Sequence, residues 1–89
     1  MNRTTRWPGW WSWELEITPH IERRMEDRAF TEVDLRDMLE RATGLRRDVV
    51  PGRYVIETKF HRRSWEVIVE PDSGDRLLVV ITAYPKEQR

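Results

Sequence analysis

The sequence predicts an α+β domain: two N-terminal helices packed on one face of an antiparallel sheet of about four strands, with an extra strand ahead of the helices. Three observations carry this expectation. Thr18-Pro19 and Thr31 followed by Asp34 mark two helix starts. From Leu45 onward the apolar residues recur with a period of two rather than with helical spacing. Turn residues then cut that region into short strands, at Pro51-Gly52 and at Pro71-Asp72-Ser73-Gly74-Asp75.

Taken in order, residues 1–9 read as an irregular lead-in ending at Pro8-Gly9. Trp11, Trp13, Leu15 and Ile17 then alternate with Ser12, Glu14 and Glu16, the pattern of a half-buried strand. Thr18 caps a helix from Pro19 to about Arg28, since proline at the first helical position gives up an N–H that has no intrahelical partner anyway. Thr31 starts the second helix, whose apolar stripe is Val33, Leu35, Met38, Leu39 and Ala42, and Gly44 stops it. Strands are expected over Leu45–Val50, Tyr54–Phe60, Ser64–Glu70 and Arg76–Tyr84. The last, apolar on both faces at Leu77-Leu78-Val79-Val80-Ile81, belongs inside the sheet. Helices and sheet each have one apolar side to bury, so they pack in two layers.

A chain of 89 residues supports one core, so residues 1–89 are read as a single domain. Sixteen basic and sixteen acidic side chains cancel, which excludes a globally basic nucleic-acid binder and leaves only local patches. The absence of cysteine excludes disulfides, thiolate metal sites and cysteine nucleophiles. Two distant histidines and no HExxH or paired-carboxylate motif point to no metal and no cofactor. Neither a signal-peptide core nor an apolar run of membrane length occurs, so the expected location is the cytoplasm, with no membrane partner.

Candidate chemistry gathers in three places. On a helical wheel His20, Arg24 and Arg28 form one stripe beside Ile21 and Met25, at the rim of the helix–sheet groove. Guanidiniums there match phosphate oxygens, although arginines in such positions also simply lay their stems over apolar surface. A second group, Arg46, Arg47, Arg53, Lys59, His61, Arg62 and Arg63, is the one clearly basic region and suits an RNA backbone, with Tyr54 or Trp65 available to stack on bases; a solvated hairpin turn at His61 to Arg63 is the alternative. Third, Thr82 and Tyr84 share a side at the end of the last strand and can donate hydrogen bonds to phosphate.

The run from His20 through Arg24-Met25 and Arg28 to Thr31, closed by Val80-Ile81-Thr82-Ala83-Tyr84, resembles the small bacterial domains grouped as domain-of-unknown-function family 4258. The resemblance spans about Thr18 to Tyr84. It implies a fold similar to the RelE, barnase and colicin-type RNase toxins, ribonuclease activity, and a toxin–antitoxin or related setting with RNA and an antitoxin protein as partners. Carried onto this chain, the motif points to His20, Arg24 and Arg28 as catalytic, with Thr82 and Tyr84 beside them. The implied reaction is metal-independent attack of a ribose 2′-OH on the adjacent phosphate, with His20 as acid or base and the arginines stabilising charge. Ala29 departs from the family's usual glycine, and the tryptophan-rich start has no counterpart in it. The rival reading is a non-catalytic protein- or RNA-binding module of the same fold. Trp7, Trp10, Trp11 and Trp13 crowd the first thirteen residues, and Trp10, off the inward face, suits a homodimer or antitoxin contact.

Overall fold

The structure, a computed structural model, describes residues 7–86. Of the lead-in expected over residues 1–9, residues 1–6 lie outside that range, while Gly9–Ser12 form a 3-10 turn. The elements that follow are β1 (Glu14–Ile17), α1 (Pro19–Arg28), α2 (Glu32–Glu40), β2 (Gly44–Arg47), β3 (Tyr54–Phe60), β4 (Arg63–Asp72) and β5 (Leu77–Pro85). The α+β class is as expected, but the sheet has five strands, ordered β1-β5-β4-β3-β2, and it is mixed. β1 runs parallel to β5, with Leu15 beside Leu78 and Ile17 beside Val80, while every other pair is antiparallel. Trp11 lies in the 3-10 turn rather than in β1, so the alternation read from Trp11 begins as a strand only at Glu14.

Local chemistry sets both helix ends. Thr18 Oγ1 accepts from the Ile21 N–H (3.3 Å) and donates to Val80 O (3.0 Å), so one hydroxyl caps α1 and pins it to β5. At the other end Ala29 takes the left-handed conformation (φ 56, ψ 52), and the Phe30 N–H returns to Met25 O (3.1 Å), a Schellman-type close. This is the position where a glycine is the usual residue, because alanine meets a steric penalty there. Thr31 and Asp34 form a reciprocal capping box at the start of α2, as their spacing predicts.

β2 ends at Arg47, short of the Val50 expected from its apolar residues. The Asp48 N–H bonds to Arg53 O (2.9 Å) and Gly52 has φ 86, so the turn takes in Val49 and Val50 and leaves them exposed. Turn geometry at Pro51-Gly52 prevails over the β-propensity of two valines.

Leu35 and Met38 from α2, and Ile21 from α1, meet Ile56, Trp65, Val67, Val69, Leu78, Val80 and Ala83 in a single core on one face of the sheet. Trp10 packs against that core with its ring 5.1 Å from Tyr54, so it finds an aromatic partner within the chain. A bulge in β5 decides what the opposite face carries. Val80 faces Val69 and Thr82 faces Ile68, which leaves Ile81 unpaired between them. The inward series Leu78, Val80 therefore resumes at Ala83, and Thr82 and Tyr84 turn to the side that no helix covers.

Candidate active site on the open sheet face

Two register rows cross this open face. One runs Arg46, Val55, Ile68, Thr82; the next runs Gly44, Glu57, Glu66, Tyr84. Glu66 sits mid-strand in β4 between apolar neighbours and is only 8% exposed. Tyr84 Oη donates to its Oε1 (2.8 Å), Arg46 Nη2 donates to its Oε2 (3.1 Å), and Lys86 Nζ stands 3.9 Å from the same oxygen. Arg46 reaches Glu57 with its other nitrogen and so bridges both carboxylates. Gly44 makes room for this: a Cβ there would stand 3.0 Å from Glu57 Oε1.

The electrostatics follow from the contacts. Burial pushes the Glu66 carboxyl up, but the hydrogen bonds from Tyr84 and Arg46, with the charges of Arg46 and Lys86, outweigh it and hold the group below its ordinary value. Burial, then donation to the Glu66 carboxylate, pushes Tyr84 up to about 12. The Glu66 hydrogen bond likewise raises Arg46. The face thus presents a desolvated carboxylate, kept ionised by a tyrosine and a guanidinium that also point into solvent-accessible space.

The residues expected to be catalytic divide between two sides of the sheet. Thr82 and Tyr84 belong to the open face, Tyr84 in direct contact with Glu66. His20, Arg24 and Arg28 lie on α1, in the other layer. His20 is exposed in the first turn, Arg24 stands 3.8 Å from Asp27, and Arg28 donates to Ala83 O (3.4 Å) at the edge of β5. His20 and Arg28 are separated by about 12 Å of helix rise, so they do not converge on one phosphate. Only Arg28 reaches the strand that carries Tyr84.

The expected RNA surface divides as well. Arg46, Arg53 and Lys59 face the open side, where Arg53 pairs with Glu70 (3.1 Å). Arg47, in register with Tyr54, belongs to the helix side, and Arg63, opposite Phe60, does too. His61 and Arg62 form the tight turn between β3 and β4. Sequence reasoning passed over Glu66, Glu57 and Lys86; the available signal was a carboxylate set inside the apolar run Trp65-Glu66-Val67-Ile68-Val69. Among the described residues no group of three or more His, Cys, Asp or Glu side chains is placed to hold a metal ion.

A protein-family model described as a domain of unknown function (DUF4258) matches residues 17–85. The chain belongs to this family. The match covers α1, α2 and β2 through β5, and with them every residue of the open-face site except Lys86. The tryptophan-rich start and most of β1 precede it, so the parallel edge strand is largely an addition to the DUF4258 segment of this chain. No curated protein and no solved structure matches the chain. No helix among the described residues is long and apolar enough to cross a membrane.

Proposed function

We propose that the protein is an endoribonuclease of the RNase-toxin type, acting without a metal, and that its active centre is Glu66 with Arg46 and Tyr84 on the open sheet face. The observation that carries this reading is the nearly buried Glu66 carboxylate, held charged by two groups that themselves match RNA phosphate. A phosphate drawing Arg46 away from Glu66 removes one of the groups that lower its pKa. Burial then lifts Glu66 toward neutrality, where a general base is most effective.

In the proposed step Glu66 takes the proton of a ribose 2′-OH, and the 2′-oxygen bonds to the adjacent phosphorus. The bond to the 5′-oxygen breaks, and Tyr84 protonates that leaving oxygen. The proton held by Glu66 then passes to Tyr84 along their hydrogen bond, restoring both groups. Arg46 and Lys86 stabilise the charge on the phosphorane. The products are a 2′,3′-cyclic phosphate and a 5′-hydroxyl. A cytoplasmic setting and an antitoxin protein covering the open face belong to the same proposal.

The test is cleavage of labelled RNA in EDTA by wild type, Glu66→Gln and His20→Ala. Cyclic-phosphate ends made by wild type and His20→Ala, and reduced about 10²–10⁴-fold in Glu66→Gln, are the expected result. Loss in His20→Ala with Glu66→Gln active returns the chemistry to α1. RNA binding without cleavage by any preparation supports the second reading, a non-catalytic RNA-binding module; what favours that reading is that no histidine lies on the open face and Glu66 is already fully paired.

A further inference from the structure

The turn between β3 and β4 meets the end of α1 in a groove of about 260 Å³, lined by Arg28, Ala29, Phe60, His61, Arg63 and Trp65. No carboxylate lines it, whereas the neighbouring groove toward α2 carries Asp34 and Asp37. Arg28 and Arg63, like Arg23, Arg47, Lys59, Arg62 and Arg76, make no ion pair among the described residues, and they are the two of these that line this groove. Arg28 is tethered by one Nη1 bond to Ala83 O, which fixes its guanidinium and leaves its other donors free. The aromatic wall is equally fixed: Phe60 meets Trp65 edge-on (5.5 Å, 89°), and the His61 ring stands 4.1 Å from Phe60. His61 and Arg62 both hold positive φ (52 and 66) without being glycine, a conformation that side-chain-bearing residues adopt at a cost in stability.

Two unpaired guanidiniums and an imidazole converging on an aromatic wall, with no acid among them, form a receptor for an anion. We propose that this groove binds a phosphate of a single-stranded RNA beyond the one at Glu66, the strand crossing the edge of β5 past Ala83. The proposal rests on the reading of the open face as an RNA site. Arg63 and Glu66 are three residues apart in β4, about 10 Å, but belong to opposite faces, so the strand turns round the sheet at this end. Past Ile17, where β1 ends, β5 pairs with no further strand on that side among the described residues, and Arg28 holds the Ala83 carbonyl at that edge.

The test is binding of an RNA octanucleotide and of a dinucleotide to the full chain, with the catalytic 2′-oxygens methylated, over a range of salt. In Arg28→Gln/Arg63→Gln the octanucleotide is expected to weaken about tenfold or more, with the log–log salt slope reduced by about 0.7 for the one lost phosphate, and the dinucleotide to bind as before. His61→Asn, which keeps a residue suited to the turn, is expected to weaken the octanucleotide alone in a correctly folded protein. Unchanged octanucleotide affinity and slope in these variants overturn the groove and leave the open-face reading standing. If wild type binds no RNA, titration with inorganic phosphate, followed by the NMR signals of His61, separates the two: a response lost in the double variant keeps the anion site and removes RNA as its ligand, and no response overturns both.

Discussion

Tyr84 and Glu66 stand directly opposite each other on β5 and β4, and the phenol donates to the carboxylate at 2.8 Å. This pairing fixes the state of both groups, because each proton position depends on the other. Tyr84→Phe removes a donor from a desolvated carboxylate. It is expected to raise the Glu66 pKa, read by NMR titration of the side-chain carbon, and to destabilise the fold by about 1.5–3 kcal/mol in denaturant unfolding.

Alkaline titration gives a second check. Tyr84 has its folded pKa raised from 10.0 to about 12, so its contribution is complete below pH 10 and lost as pH rises through 12. Near-ultraviolet absorbance is expected to show Tyr84 ionising there, and the late transition is absent in Tyr84→Phe.

Acid titration runs the other way. The folded Glu66 pKa lies below its ordinary 4.5, so its contribution is present above pH 4.5 and disappears as pH falls through the lower folded value. Glu66→Gln is therefore expected to flatten the pH dependence of unfolding free energy below pH 4.5. A slope in Glu66→Gln equal to that of wild type removes Glu66 from the acid response.

Arg46 and Glu66 act as a unit. Arg46→Met leaves a nearly buried carboxylate short of a charged donor, while Arg46→Met/Glu66→Gln removes the group that suffered. The double variant is expected to be more stable than the sum of the single changes, by about 1 kcal/mol in a double-mutant cycle. Simple additivity would mean that the contact has no energetic weight.

Ala29→Gly is expected to stabilise the protein, because φ 56 suits glycine and strains alanine. The gain is about 1 kcal/mol, offset only in part by the freer unfolded chain, and raises the melting temperature by roughly 4–8 °C. A lower melting temperature than wild type would show that the end of α1 tolerates alanine without strain.

What was legible in the sequence was local. The Thr31 and Asp34 box and the Thr18-Pro19 start are each decided by neighbours within a few positions, and each formed where expected. The turn expected over Pro71 to Asp75 lies instead at residues 73–76, because Pro71 and Asp72 extend β4 opposite Leu78 and Leu77. Val49 and Val50 misled because their strand preference is weaker than the turn beside them. The parallel pairing of β1 with β5 joins residues some sixty positions apart, and no local pattern encodes it. The site was half legible for the same reason. Tyr84 and Arg46 were singled out by type and position, but Glu66 looked like an ordinary outward residue of an alternating strand. Its partner became visible only once the register across Ile81 was known.

The bulge at Ile81 makes the open-face site a matter of parity. Were the strand regular through Ile81, with every residue kept, the tyrosine would point into the hydrocarbon layer and the alanine out to water. Removing Ile81 therefore closes the bulge and leaves Tyr84 opposite Glu66, whereas straightening the strand around a retained Ile81 erases the site without touching any residue in it. What the chain must keep at that point is the register on either side of the bulge, and the identity of the side chain is secondary.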